Sequence, residues 1–200
     1  MKTVCIDAGH GGRDPGCVSF DGVKESAIVL DVCQRIRAAI SGAVRVVMTR
    51  DDNTFIGLSL RAEISNRERS DAFLSVHCNS ASNRQAQGWE LFTSVGETQA
   101  DRLAQSVASF HSERFPDQKN RGLKEVNFSV LRRTAAPAVL VELGFLSNAQ
   151  EAAWLETEQV RQGMADCIAA GVLEFLGVSA EPTLTIEQRL ERIEQYLNLT

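Results

Sequence analysis

Apolar residues in this chain fall into two spacings. Residues 2–7 form a short apolar run rich in β-branched side chains and predict a buried strand. Residues 25–40 place Val29, Val32, Cys33, Ile36 and Ile40 three or four apart, which predicts a helix with one buried face ended by Ser41-Gly42. Residues 44–49 predict a second strand, and residues 58–69 a helix with Arg and Glu on its outer face. Further strands are expected at 72–77, 89–93 and 138–142, with a short one at 127–131. Helices are expected at 98–115, stopped by Pro116, and at 148–155 and 160–176. This alternation predicts an α/β domain whose strands are covered by helices on both faces. The domain is expected over residues 1–177. Gly, Ser and Pro cluster in a linker at 178–184, and Ile186, Leu190, Ile193 and Leu197 then mark one stripe of a short amphipathic helix over 185–200. Such a helix is too short to be stable alone. It is expected to pack on the domain or on a second copy as a homodimer; the plain alternative is a frayed end.

Composition narrows the picture. The 200 residues suffice for one core, and a net charge of −5 argues against nucleic acid as partner. The five cysteines are odd in number and lack a CxxC pair, so they read as reduced, mostly buried thiols of a protein made in the cytoplasm. No signal peptide is visible, and no apolar run reaches the ~20 residues needed for membrane insertion. A target outside the membrane would be reached only after release.

Four residues stand where strands give way to loops, or at a helix start: His10 in DAGHGG, Glu25, His77 in LSVHCN and Glu142 in VLVELGF. Loops at one edge of an α/β sheet are where such folds gather chemistry. A His, Glu, His set has the ligand types of a catalytic zinc with one open position, and a fourth carboxylate is free to act as base. Taken singly, His10 reads equally as a turn residue, and Glu25 as an acidic residue favoured at a helix start. His77 and Glu142 are harder to explain blandly, because each ends an apolar strand. Burial there would raise the Glu142 pKa and suit it to proton transfer. Asp7 or a backbone carbonyl would serve as the outer partner of His77. Cys78 is expected to point to the opposite face from His77. His111 reads as a solvated surface residue, Asp51-Asp52 as a solvated turn, and Glu90 as a residue of an edge-like strand approaching the site from the side.

The segments IDAGHGGRDPG, KE at 24 and 25, VVMTRDD, LRAEISNRERSDAFLSVHCNS, GWELF, RGLK and SVLRRTAAPAVLVELGFLSN, in that order, resemble the zinc-dependent N-acetylmuramoyl-L-alanine amidases of the Amidase_3 type. The resemblance runs from Lys2 to about Gly177. It implies a mixed, mostly parallel sheet between helices. It implies a Zn2+ ion held by His10, Glu25 and His77, with Glu142 as the catalytic carboxylate. The bond cut would be the amide between the lactyl group of N-acetylmuramic acid and L-alanine in peptidoglycan. Asn79, Arg121 and the loop near Leu131 would meet substrate, with Glu90 beside them. In some relatives a helix inserted after the GWELF-like strand covers the metal; here Ser94-Val95-Gly96 leads directly into the next helix, so an open site is expected. A phage or prophage endolysin suits these features. The alternatives are a zinc peptidase acting on other peptides and a catalytically silent cell-wall-binding module.

Overall fold

The structure is a computed structural model that describes residues 1–96 and 98–179, with only the backbone of Thr98. In chain order the elements are β1 (Thr3–Ala8), α1 (Glu25–Ile40), β2 (Arg45–Met48), α2 (Leu58–Arg67), β3 (Ala72–Asn79), β4 (Trp89–Thr93), α3 (Thr98–Arg114), β5 (Asn120–Glu125), α4 (Ser129–Arg133), β6 (Ala138–Phe145), α5 (Ala149–Leu155) and α6 (Glu158–Leu176). The strands form one sheet in the order β2-β1-β3-β6-β4-β5. The first four strands of that order are parallel, β4 runs antiparallel to β6, and β5 is parallel to β4. The mixed, mostly parallel sheet is therefore as expected. Gly177, at φ 64°, ends α6 in the left-handed conformation that a residue without Cβ adopts freely. The amphipathic helix expected over 185–200, and most of the linker before it, lie outside the described residues.

Because side chains alternate along a strand, each strand serves two environments. One face carries Val4, Ile6, Leu74, Val76, Val139, Val141 and Leu91 into the main core, where α1, α3 and α6 cover them. Gly171 lets α6 lie against α3, since a Cβ there would stand 2.5 Å from the Val107 Cα. The other face holds a smaller core in which Cys5, Phe73 and Leu140 meet Ile64 of α2 and Val130 and Leu131 of α4. Along that thinner face the same alternation brings up Asp7, Ser75, His77, Glu142 and Glu90. Asp7 pairs in register with Ser75, His77 with Glu142, and Glu142 with Glu90. Cys78 faces the main core, opposite His77 as expected. Among the described residues no helix is long and apolar enough to cross a membrane.

Three expectations are corrected. Residues 127–131 do not make a strand: α4 begins at Ser129, and the strand in that part of the chain is β5, whose NRGLKE sequence has no apolar alternation to reveal it. β4 is not an edge, because β5 pairs with its outer side. His111 is not solvated. It is fully buried, with its ring 4.1 Å from Trp89 and 5.1 Å from Phe115, and with Nε2 2.7 Å from Gln118 Oε1.

Burial holds the His111 ring neutral and lowers its pKa from 6.5 to about 4, with the Gln118 contact opposing. The unfolded chain thus takes up a proton near 6.5 that the folded chain refuses until about 4. Stability is lost as pH falls through that window. Replacing His111 by Phe is expected to abolish this part of the acid loss, ~3 kcal/mol between neutral pH and the lower end of the window. Urea denaturation of both proteins at several pH values measures it; equal acid losses would show that His111 is not held neutral.

Candidate metal centre

The strand β1 runs into a tight loop. Gly9 N–H still donates to Val76 O (3.1 Å), and then His10, Gly11 and Gly12 take φ values of 60°, 117° and 58°. For the glycines this is free; for His10 it is a strained conformation costing ~1–2 kcal/mol. Two buried arginines hold it. Arg50, just after β2, donates from Nε to Ala8 O (2.9 Å) and from Nη2 to Gly9 O (2.6 Å) and Ser26 O (2.9 Å). Arg61, on α2, donates from Nη1 to Ala8 O (2.6 Å) and from Nη2 to His10 O (2.7 Å). Arg61 also meets Asp7 at 2.7 Å, and Asp7 accepts from Thr49 and Ser75 as well. Arg61 was expected on the outer face of its helix; it is 3 % exposed. Asp7 is thereby occupied by Arg61 rather than by His77.

The loop presents His10 to Glu25, the first residue of α1. His10 Nε2 lies 2.9 Å and His77 Nδ1 lies 3.0 Å from the same oxygen, Glu25 Oε1. Cys78 N–H donates to that oxygen too (3.0 Å), and Cys17 N–H fixes the other, Oε2 (2.9 Å). Two glycines make the approach possible. A Cβ on Gly9 would stand 2.3 Å from His77 Cε1, and one on Gly16 would stand 2.5 Å from Glu25 Oε2. On its far side His10 Nδ1 contacts Asp14 Oδ2 at 2.9 Å. Burial disfavours charge on both His10 and Glu25. Their mutual contact overrules it, aided by Asp14 on one side and His77 on the other. The His10 pKa is raised, and the Glu25 carboxyl is held far below the usual carboxylate range.

This donor set fits a divalent cation. One carboxylate oxygen faces two imidazole nitrogens and an amide N–H, and both nitrogens of His10 face carboxylates. The three candidate ligand atoms lie within 4.8 Å of one another. A cation among them would replace the crowded proton sharing by coordination. Two nitrogens and one oxygen are the donor types of a catalytic zinc site, and Asp14, 2.9 Å from His10 Nδ1, is placed to supply an outer contact.

Glu142 stands beside His77 in the sheet. Its Oε2 is shut away from solvent without a partner. Burial, reinforced by the charges of Glu25 and Glu90 and opposed by His77 and His10, raises its pKa to about 7. Glu90 is the reverse case. It is buried too, yet Asn79, Lys124 and Arg121 (Nε at 3.2 Å) all donate to it, and the two cations lower its pKa against the pull of burial. Arg121 also lies over the Phe145 ring, 4.9 Å from its centroid. Asn79, Glu90 and Arg121 thus come together next to Glu142, as the sequence suggested. Leu131 does not join them; it is 2 % exposed and packed in the small core. His10 and His77 open onto a cavity of about 410 Å3 that Asp14, Phe55 and Val130 also line. Asp14, Arg50, Arg61 and Lys124 went unrecognised in the sequence. Only Asp14, four residues after His10 in HGGRD, carried a local signal.

A family model described as N-acetylmuramoyl-L-alanine amidase matches residues 4–174. The chain is 34 % identical over 184 residues to the endolysin of Bacillus phage SPP1, covering 88 % of this chain and 67 % of that protein. It is 27 % identical to the N-acetylmuramoyl-L-alanine amidase AmiC of Escherichia coli O6:H1, spanning 88 % of this chain but only 53 % of AmiC. Among solved structures, the catalytic domain of CwlV, an N-acetylmuramoyl-L-alanine amidase from Bacillus (Paenibacillus) polymyxa var. colistinus, superposes with a TM-score of 0.86 at 32 % identity, covering 90 % of this chain and all of that one. An N-acetylmuramoyl-L-alanine amidase from Clostridium difficile 630 does so with a TM-score of 0.85 at 34 % identity, covering 88 % and 97 %.

The Gly9 contact generates an expected outcome. Gly9→Ala should push the His77 ring off Glu25 and weaken zinc binding at least about tenfold while the far-UV circular dichroism stays native. Competition with a chromogenic chelator measures the affinity; an unchanged value would show that Gly9 does not set the approach of His77.

Proposed function

The chain belongs to the Amidase_3 family of N-acetylmuramoyl-L-alanine amidases and hydrolyses peptidoglycan; we propose that it does so with a zinc ion held by His10, Glu25 and His77 and with Glu142 as the proton-transfer group. The observation that carries the proposal is the convergence of two imidazole nitrogens on one Glu25 oxygen, beside a carboxyl whose pKa of about 7 lies in the working range. The family resemblance assigns the scissile bond to the amide joining the lactyl carbonyl to L-alanine.

Zinc in such a site supplies Lewis acidity, acidifying water and drawing charge from the scissile carbonyl. The rest falls to the chain's own residues. Glu25, anchored through both oxygens by Cys17 and Cys78 N–H groups, keeps its carboxylate fixed. Asp14 holds the proton on His10 Nδ1 so that Nε2 faces the centre. Glu142 takes the proton of the attacking water and returns it to the departing alanine nitrogen, a double duty suited to a pKa near neutrality. Asn79 and Arg121, steadied by Glu90, stand beside that carboxyl to orient the substrate. The site works open: Ser94–Gly96 form the whole described link between β4 and Thr98, where α3 begins, leaving no length for a covering helix. Residues 1–177 act as the catalytic unit.

Glu142→Gln is expected to keep stoichiometric zinc and lose about a thousandfold or more in turnover. His77→Ala should lose the zinc itself. In the active protein, kcat/KM should rise with pH through the ionisation of Glu142. Its midpoint is expected below about 7, the value that the protein groups alone set, because a cation at the centre would favour the carboxylate. Digestion of purified peptidoglycan with and without a chelator, scored for new alanine N-termini, tests the reading as a whole. Cleavage that survives complete zinc removal would contradict it, and a fully active Glu142→Gln would remove the proton-transfer role.

A further inference from the structure

Beside the catalytic edge lies a cleft of about 440 Å3 that the chemistry above does not use. It is bounded by the end of α3, the link into β5, Gln87 before β4, and α5. Its floor is aromatic: Phe115 and Trp154 meet edge to face, 5.3 Å apart at 87°. Its back wall is rigid, because Glu151 accepts from Gly88 N–H and Phe145 N–H, both at 2.7 Å. At the rim stand the exposed carboxamides of Gln87 and Gln150. Neither side chain has a protein hydrogen-bond partner among the described residues. The same two glutamines border a second depression of about 390 Å3, so the two form one trough longer than a single small ligand. The trough leads back to the centre: Gln87 O accepts from Arg121 (3.4 Å), Arg121 binds Glu90, and Glu90 faces Glu142 across the sheet.

We propose that this trough is a subsite for the glycan strand of the polymer, binding N-acetylated sugar units away from the bond that is cut. The proposal rests on the amidase reading and names a further part of its substrate. A pyranose ring offers an apolar face that stacks on an indole. Its hydroxyl and acetamido groups both donate and accept, as a carboxamide does. Charge selects no strongly charged ligand: Arg114 and Lys119 are balanced by Asp117 and Glu151 around the first cleft, and Arg84 alone adds charge along the second. The backbone donors of Gly88 and Trp89 are already used and offer nothing to an extended peptide. Gly88 N–H is taken by Glu151, and Trp89 N–H by Lys119 O at 3.0 Å. The two depressions in line suit an oligomer of repeating units.

Trp154 reports on the cleft directly, because the chain's other tryptophan, Trp89, is 1 % exposed. The zinc-loaded full chain is titrated with the hexamer of N-acetylglucosamine, which lacks the lactyl-alanine amide and is not cleaved, and with a free stem peptide. The expected result is a saturable change in tryptophan fluorescence with the hexamer, none with the peptide, and a dissociation constant raised about tenfold in the Gln87→Ala, Gln150→Ala double variant, from the loss of two hydrogen bonds. No saturable response to the hexamer would overturn the proposal. So would equal binding by the double variant, or a response to the peptide that displaces the sugar. Peptidoglycan cleavage followed in the same preparation separates the two readings: intact cleavage without sugar binding removes the subsite alone, and sugar binding without cleavage removes the amidase reading.

Discussion

Three consecutive backbone carbonyls, those of Ala8, Gly9 and His10, end on two buried guanidiniums, and the rest of the centre follows from that arrangement. Buried charge is tolerated only when its donors are used, and each guanidinium brings five. Here the donors are spent on carbonyls that a tight left-handed loop would otherwise leave without partners. Asp7, held by Arg61, Thr49 and Ser75, supplies the counter-charge. The arginines therefore stabilise a His10 backbone that would be strained alone, and that backbone directs the ring at Glu25. Gly9 and Gly16 then leave the space in which two rings and one carboxylate meet.

The site sorts three carboxylates by environment, two on the sheet and one at the start of α1. Glu25 faces two imidazoles and is held ionised. Glu90 faces Arg121 and Lys124 and is also held ionised. Glu142 has an oxygen with no partner among the described residues, and of the three it alone is raised toward neutrality. Environments that push like groups apart distinguish two fixed charges from one carboxyl raised toward neutrality, which supports the role proposed for Glu142. That assignment depends on strand alternation, because Glu142 and Glu90 share a face with His77 while Val141 and Leu91 share the opposite one with the main core.

Much of this was legible in the sequence where local pattern and global fold agree. The span of α1 follows from its apolar spacing, and His10, Glu25 and His77 converge as their positions at strand ends and a helix start suggested. What escaped was non-local. β5 has no apolar run because pairing with β4, not burial, makes it a strand. Arg61 reads as part of the outer face of its helix and Arg50 carries no local signal, since nothing nearby in sequence reveals the carbonyls they bind. His111, among Ser, Glu and Arg on its helix, reads as solvated until Trp89 and Phe115 close over it. Leu131 was expected at the substrate but fills the small core, where α4 lies in place of the expected strand.

The competing ligand chemistry in this neighbourhood is sulfur. Cys17 and Cys78 adjoin Glu25 through their backbones, but the Cys17 thiol donates to Cys78 O at 3.5 Å and the Cys78 side chain faces the main core, so geometry favours nitrogen and oxygen as the donors to a cation. X-ray absorption at the zinc edge of the loaded protein tests the three-ligand centre most directly. The expected result is a first shell of nitrogen and oxygen only at ~2.0–2.1 Å, with the outer-shell scattering of two imidazoles. A sulfur shell at ~2.3 Å, or the scattering of fewer than two imidazoles, would contradict it.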